Sequence, residues 1–403
     1  MKFDLIEEEK INIVNFTDFR IVSGRIDFIS ERIRNGVIKK KDYYFELSEP
    51  FIPSQDAIAG TVIQIINGTY KKIYIDLSVS KSIAQAIKEK YPESDIAFKE
   101  VYEQHNIIQQ NKPQHEKYVI LFSGGLDSLA MHYLFPEVTL LSFEYIHEKH
   151  YEREKEMFSK FDPYIIKTNT RDFELFQGTI EMIYQEYLGF NGILTGDVFE
   201  NGVGSRTSMK RFGQFVMKKD PVRETKNIKM YPSYYLTEIG TTMLLAHYGY
   251  EQVPFALKSC AAVGSIKKLR KDLLTKTVYE RLNLKQNFEV TTNLPKKKLS
   301  FGSNILEDFI SIYLIKYLGY EEVNKSMEIP NEQLTKIKST ISTLTLDFYQ
   351  RCNTNLLDAI PKEKRNKTLE RLLDAGILFF MERDWYELSE VLNLLKPYHS
   401  FLT

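Results

Sequence analysis

Apolar and polar positions alternate in two different styles along this chain. Up to about residue 108 the runs are short and broken by turn residues. VIQII (62–66) and KKIYI (71–75) flank Asn67-Gly68, two positions that tolerate positive φ, so this stretch predicts a hairpin. SVSKSIAQAIKEKY (78–91) predicts a helix capped by Ser78 or Ser80. QQNKPQHEK (109–117) is polar, holds Pro113 and has no apolar period, which marks a linker. Beyond it the runs become continuously apolar and alternate with helical spacing. YVILF (118–122), VTLLSFEY (138–145), PYIIKT (163–168) and GILTG (192–196) predict buried strands. LDSLAMHYLF (126–135), EKHYEREKEMFSKF (148–161) and FELFQGTIEMIYQEYL (173–188) predict the helices between them. Such alternation specifies an α/β domain, a central parallel sheet with right-handed crossovers placing helices on both faces.

From about residue 285 the pattern turns helical, with predicted helices over 305–320, 331–352 and 362–382. GILFFMERDW (376–385), including Trp385, reads as core. The expected layout is an N-terminal α+β domain (1–110), an α/β domain (117–285) and a C-terminal helical region (286–403).

Composition narrows the function classes. The 403 residues hold 54 basic and 54 acidic side chains, so overall basicity offers no grip on nucleic acid. KKDYY, LPKKKL and IKKLRKD are local basic clusters, read as solvated faces; the patch from Lys267 to Lys276 keeps an RNA partner open. Two cysteines, Cys260 and Cys352, exclude a disulfide framework, a zinc site of three or four cysteines and an iron–sulfur cluster with three cysteine ligands. MKFDLIEEEK places charges where a signal peptide needs an apolar core, and no apolar run approaches about 18 residues. A soluble, cytoplasmic protein without membrane contact is expected.

Chemistry concentrates in Ser123-Gly124-Gly125-Leu126-Asp127-Ser128, which leaves a buried strand and opens a helix. Paired glycines let the backbone turn tightly and approach a ligand. Free N–H groups at the helix start favour an anion there. An ionised Asp127 cannot donate to phosphate, so its expected role is to hold magnesium. The bland reading is a glycine turn with a Ser or Asp cap.

SGGLDS in this setting resembles the phosphate loop of the N-type ATP pyrophosphatases, or PP-loop enzymes. They cleave ATP between the α- and β-phosphates and transfer AMP to a substrate oxygen. Over about 118–285 the chain is most similar to the 7-cyano-7-deazaguanine synthase branch. Leu141-Ser142-Phe143-Glu144-Tyr145 is similar to that family's second strand, and the resemblance places Phe143, Glu144 and Tyr145 beside adenine and ribose. Leu194-Thr195-Gly196 resembles the strand that returns a turn to the ATP site. Glu200, Arg206, Phe212, Pro232 and Ser259-Cys260 follow in family-like order. The resemblance implies a fold of the adenine nucleotide alpha hydrolase (HUP) type. The departures are specific: three of the four zinc cysteines are missing, so no zinc site is expected. SYYLTEIG (233–240) lacks the lysine that follows in the family.

The candidate site follows. Ser123, Gly124, Gly125, Leu126 and Ser128 would hold the β,γ-pyrophosphate. Asp127 and Asp197 are the magnesium candidates, Asp197 because it follows Thr195-Gly196 at a strand's carboxyl end; a turn aspartate is the alternative. Lys210, Arg211 and Arg206 would neutralise the α-phosphate or a substrate carboxylate, or lie on a solvated face. His147 and His150 share a helix face but make a weak metal signal. Cys260 reads as a small buried residue. The resulting expectation is an enzyme that uses ATP and Mg2+ to adenylate a carboxylate or amide oxygen of a small molecule, followed by attack of ammonia or another nucleophile. Nitrogen would come from free ammonia or a partner, since no second-position cysteine suggests a fused glutaminase. Two alternatives stand beside it. One is a nucleotide-binding module of a multi-protein modification or defence system, meeting partner proteins through its N- or C-terminal region. The other is an RNA-modifying sulfur-transfer enzyme.

Overall fold

The computed structural model describes residues 12–66, 69–103, 116–146, 149–170, 180–204, 209–210, 214–215, 217 and 219–402. Three long strands open the fold: β1 (Ile13–Val22), β2 (Arg25–Arg34) and β3 (Val37–Leu47). After helix α1 (Gln55–Val62) come β4 (Lys72–Ser80), α2 (Lys81–Lys90) and β5 (Asp95–Tyr102). The hairpin expected around Asn67-Gly68 does not form. VIQII is instead the end of α1 and a 3-10 turn, and its Val62, Ile63 and Ile65 side chains are buried. A five-residue apolar run suits a buried helix end as well as a strand, and Ser54, capping Ala57 N, starts the helix that claims it. Ser80 rather than Ser78 caps α2, because Ser78 still lies in β4.

The second half alternates as its pattern predicts. It runs β6 (Tyr118–Leu121), α3 (Leu126–Leu134), β7 (Thr139–Tyr145), α4 (Lys149–Phe161), β8 (Tyr164–Thr168), α5 (Ile180–Leu188) and β9 (Gly192–Thr195). Then follow α6 (Phe199–Gly204), the short strands β10 (Met209–Lys210) and β11 (Gln214–Phe215), α7 (Pro221–Glu224), β12 (Lys229–Pro232), α8 (Glu238–Tyr248), α9 (Val253–Cys260) and α10 (Ile266–Arg281). The proposed linker falls almost wholly outside the described residues.

All the long strands share one sheet of ten, in the order β12-β9-β6-β7-β8-β3-β2-β1-β4-β5. Pairing is mostly parallel, with antiparallel β1–β2, β2–β3 and β3–β8. Phe45, Glu46 and Leu47 of β3 pair with Thr168, Lys167 and Ile166 of β8, so the N-terminal strands continue the sheet of the α/β segment.

Both faces are covered, and strand alternation shows how. Tyr118, Ile120 and Phe122 enter one core, while Val119 and Leu121 enter the other; Leu194 and Ile193 of β9 divide the same way. Helices α1, α2, α5 and α7 supply the second core, and α3, α4, α8, α9 and α10 supply the first. The C-terminal region extends the first core. It comprises β13 (Leu299–Ser300), α11 (Ile305–Leu318), α12 (Tyr320–Val323), β14 (Met327–Glu328), α13 (Asn331–Ser342), α14 (Arg365–Asp374) and α15 (Glu382–Leu395). Two helices predicted there are too long. That over 331–352 stops at Ser342, and Leu346 turns left-handed before a 3-10 turn. That over 362–382 stops at Asp374, where Gly376 adopts φ +74°, and a separate helix starts at Glu382. Trp385 packs half-buried against the core edge, 4.9 Å from the Phe380 ring.

Candidate functional site

Strand order locates a crevice. The chain lays down β6, β7 and β8 in one direction, then returns with β9 and β12 on the other side of β6. The connections that follow β6 and β9 therefore run toward opposite edges of the sheet, and ligands of open α/β sheets sit at such a reversal. A cavity of about 660 Å3 lies there, lined by the ends of β6, β7 and β9 and by the α9–α10 connection.

The loop after β6 is built tightly. Gly124 sits at φ +69°, and a Cβ there would lie 2.7 Å from Cβ of Met157, so glycine is required on both counts. Ser128 Oγ accepts from Ser123 N at 3.2 Å and donates to Gly125 O at 3.2 Å, folding the loop back on its helix. Ser259 Oγ donates to Ser123 O from α9. Gly125 caps α3 with no side-chain acceptor for the first-turn N–H groups, which leaves the positive end of that helix for an anion.

The β9 loop touches this one. A Cβ on Gly196 would lie 2.7 Å from Ser128 N and 2.8 Å from the Asp127 carbonyl carbon. Thr195 Oγ1 donates to Asp197 Oδ2 at 2.9 Å, and Ser233 Oγ holds Asp197 O at 3.0 Å. Ser123, Gly125, Leu126, Asp127, Ser128, Phe143, Tyr145, Thr195, Gly196 and Asp197 all line the cavity, so ten of the expected residues converge. Phe143 and Tyr145 stack with ring centroids 5.5 Å apart. Gly124 shapes the loop from behind, and Glu144 is not in the lining; its carboxylate is 3.8 Å from Lys167 Nζ. Arg206, Arg211 and His147 lie outside the described residues, as do the side chains of Lys210 and His150.

Sequence reasoning missed the residues that carry most of the local charge. IKKLRKD was expected to be a solvated face, but α10 buries Lys268, Arg270 and Lys271. Lys271 Nζ, 1% exposed, donates to Asp127 Oδ2 at 2.7 Å and pairs with Glu238 Oε1 at 3.1 Å. Thr241 Oγ1 donates to the other Asp127 oxygen at 2.8 Å. Arg270 pairs with Glu238 and, at 2.9 Å, with Glu307. Glu238 N donates to Glu200 Oε1 at 3.1 Å. The ion set thus joins α3, α6, α8, α10 and α11. Burial and the neighbouring Glu238 push the Glu200 carboxyl up; despite its own burial, Arg270 and Lys271 hold Glu238 down. A signal existed, because Arg270 and Lys271 fall on the stripe with Leu273, Leu274 and Val278 at helical spacing, where a cation requires an acid.

Cys260 also lines the cavity rather than filling core, with Cβ 3.4 Å from a Cβ built on Gly125. Burial raises its thiol above the ordinary range, with Lys271 opposing the rise.

Both Asp127 oxygens already hold cationic or hydroxyl donors, so this carboxylate is not arranged as a metal ligand. Among the described residues no three His, Cys, Asp or Glu side chains cluster as a metal site. Comparison of the chain with protein-family models, with curated proteins and with solved structures returned no match. No helix among the described residues is long and apolar enough to cross a membrane.

Proposed function

We propose that this chain is an AMP-forming ATP pyrophosphatase with a fold of the adenine nucleotide alpha hydrolase type. One observation carries the reading. SGGLDS forms an uncapped helix start and a glycine turn at the reversal of strand order, facing a cavity large enough for a nucleotide. The first-turn N–H groups of α3 with Ser123 and Ser128 would take the β,γ-phosphates. Phe143 and Tyr145, on the neighbouring strand, would take the base.

The chemistry is a displacement at the α-phosphorus. A carboxylate or amide oxygen of the acceptor bonds to it, and its bond to the bridging oxygen breaks. Pyrophosphate leaves with that electron pair and AMP is joined to the acceptor oxygen. Ammonia or another nucleophile then attacks the activated carbon, loses a proton, and expels AMP. Donors fixed before reaction stabilise the leaving pyrophosphate without reorganising. Magnesium would enter as the counter-ion that ATP carries in solution.

A second reading, sulfur transfer, gains support from Cys260 on the cavity wall. Its raised thiol favours the protonated, unreactive form, which weighs against it. The test is product analysis with ATP and a panel of carboxylates, deazapurines, amines and RNAs. AMP with pyrophosphate supports the proposal, and the stimulating acceptor names the substrate class.

A further inference from the structure

Resting on that reading, we infer that Lys271 is the cation that meets the polyphosphate in this site, and that Asp127 is a positioning residue that holds its ammonium beside the loop rather than a metal ligand. Lys271 is almost wholly buried, yet it is one of the residues lining the cavity, together with Ser123, Gly125 and Ser128. An ammonium has three donors. Two acceptors meet it among the described residues, Asp127 Oδ2 and Glu238 Oε1, which leaves one donor for a ligand. Glu238 is also neutralised by Arg270, so Lys271 is shared chiefly with Asp127. Thr241 fixes the free oxygen of Asp127, so the carboxylate cannot swing away without breaking a second bond.

The ion set has no surplus positive charge: Asp127, Glu238 and Glu307 stand against Lys271 and Arg270. Asp127 and a polyphosphate therefore compete for the same ammonium. Lys267, exposed at the cavity rim with no ion-pair partner among the described residues, adds a cation at the outer end. Lys271 and Lys267 then meet the polyphosphate directly, so binding without a divalent ion is the outcome that tests the inference.

The test is calorimetric binding of inorganic pyrophosphate and of ATP to the full chain, in EDTA and again in magnesium. Binding in EDTA is expected for both. Lys271→Met should weaken it on the order of 10- to 100-fold, the usual weight of a hydrogen bond to a charged group. Asp127→Asn should tighten it several-fold by releasing the ammonium, an effect a merely structural aspartate would not give. Because Lys271→Met strands buried carboxylates, the double variant Lys271→Met/Asp127→Asn, which removes both charges together, checks the loss in a folded protein. Binding that requires magnesium and is lost in Asp127→Asn overturns the inference and leaves the ATP reading standing. Absence of binding in both buffers overturns the ATP reading and the inference with it.

Discussion

Arg270→Met is the most informative perturbation of the buried ions. Arg270 stands between Glu238 and Glu307, and methionine fills similar volume while offering neither carboxylate a donor. Removing one partner of a buried pair costs about 3–5 kcal/mol, because the remaining charge has lost its hydration and gained nothing. Two features place this case near the lower end. Glu238 keeps Lys271 at 3.1 Å, and Glu307, which burial already pushes upward, can take a proton. A loss of about 3 kcal/mol is expected at pH 8, shifting the urea midpoint by roughly 1 M for a slope near 3 kcal/mol per molar. The loss should shrink at pH 5, since both stranded carboxyls bind protons more readily in the folded variant than in the unfolded chain. The triple variant Arg270→Met/Glu238→Gln/Glu307→Gln removes the set together and should return to within about 2 kcal/mol of the native protein. A single variant that costs under about 1 kcal/mol, or a triple variant no better than the single, would refute the reasoning.

Further outcomes are expected from the same geometry. Gly196→Ala drives a methyl into the backbone of Asp127 and Ser128, so it should cost about 1–3 kcal/mol and weaken nucleotide binding; an unchanged denaturation midpoint and affinity would contradict the contact. For Glu200, the folded value is pushed up to about 8 from an ordinary 4.5, so the folded state binds more protons between those values and stability is lost as pH rises through that window. Glu200→Gln should therefore flatten the decline, gaining up to about 1.4 kcal/mol per pH unit relative to the native protein, and parallel pH profiles would argue against a buried acid there. Cys260, with its raised thiol, should react with iodoacetamide at pH 7 more slowly than free cysteine, and a faster rate would mark it as an activated nucleophile.

The strand–loop–helix core of the site was legible because its signals are local. A continuous apolar run, two glycines and a helical period each act within ten residues, and ten of the expected residues meet in one cavity as a result. The junction of β3 with β8 was not legible, since nothing in residues 37–47 states which distant strand they will pair. The ends of α13 and α14 were missed for a local reason: apolar spacing continued past Leu346 and Gly376, where the backbone turns to positive φ. The buried ions were missed because a run such as IKKLRKD reads as surface until the acids on α8 and α11 that neutralise it are brought to it in space.

The central claim is that the loop holds the β,γ-phosphates and that ATP breaks next to its α-phosphorus. Its most direct measurement is separation of the nucleotide products after incubation with ATP, magnesium, the acceptor panel and ammonia. AMP and pyrophosphate are expected in equal amounts, and both are expected to be lost in a variant such as Gly124→Val that cannot form the loop turn. ADP and inorganic phosphate as the products would contradict it.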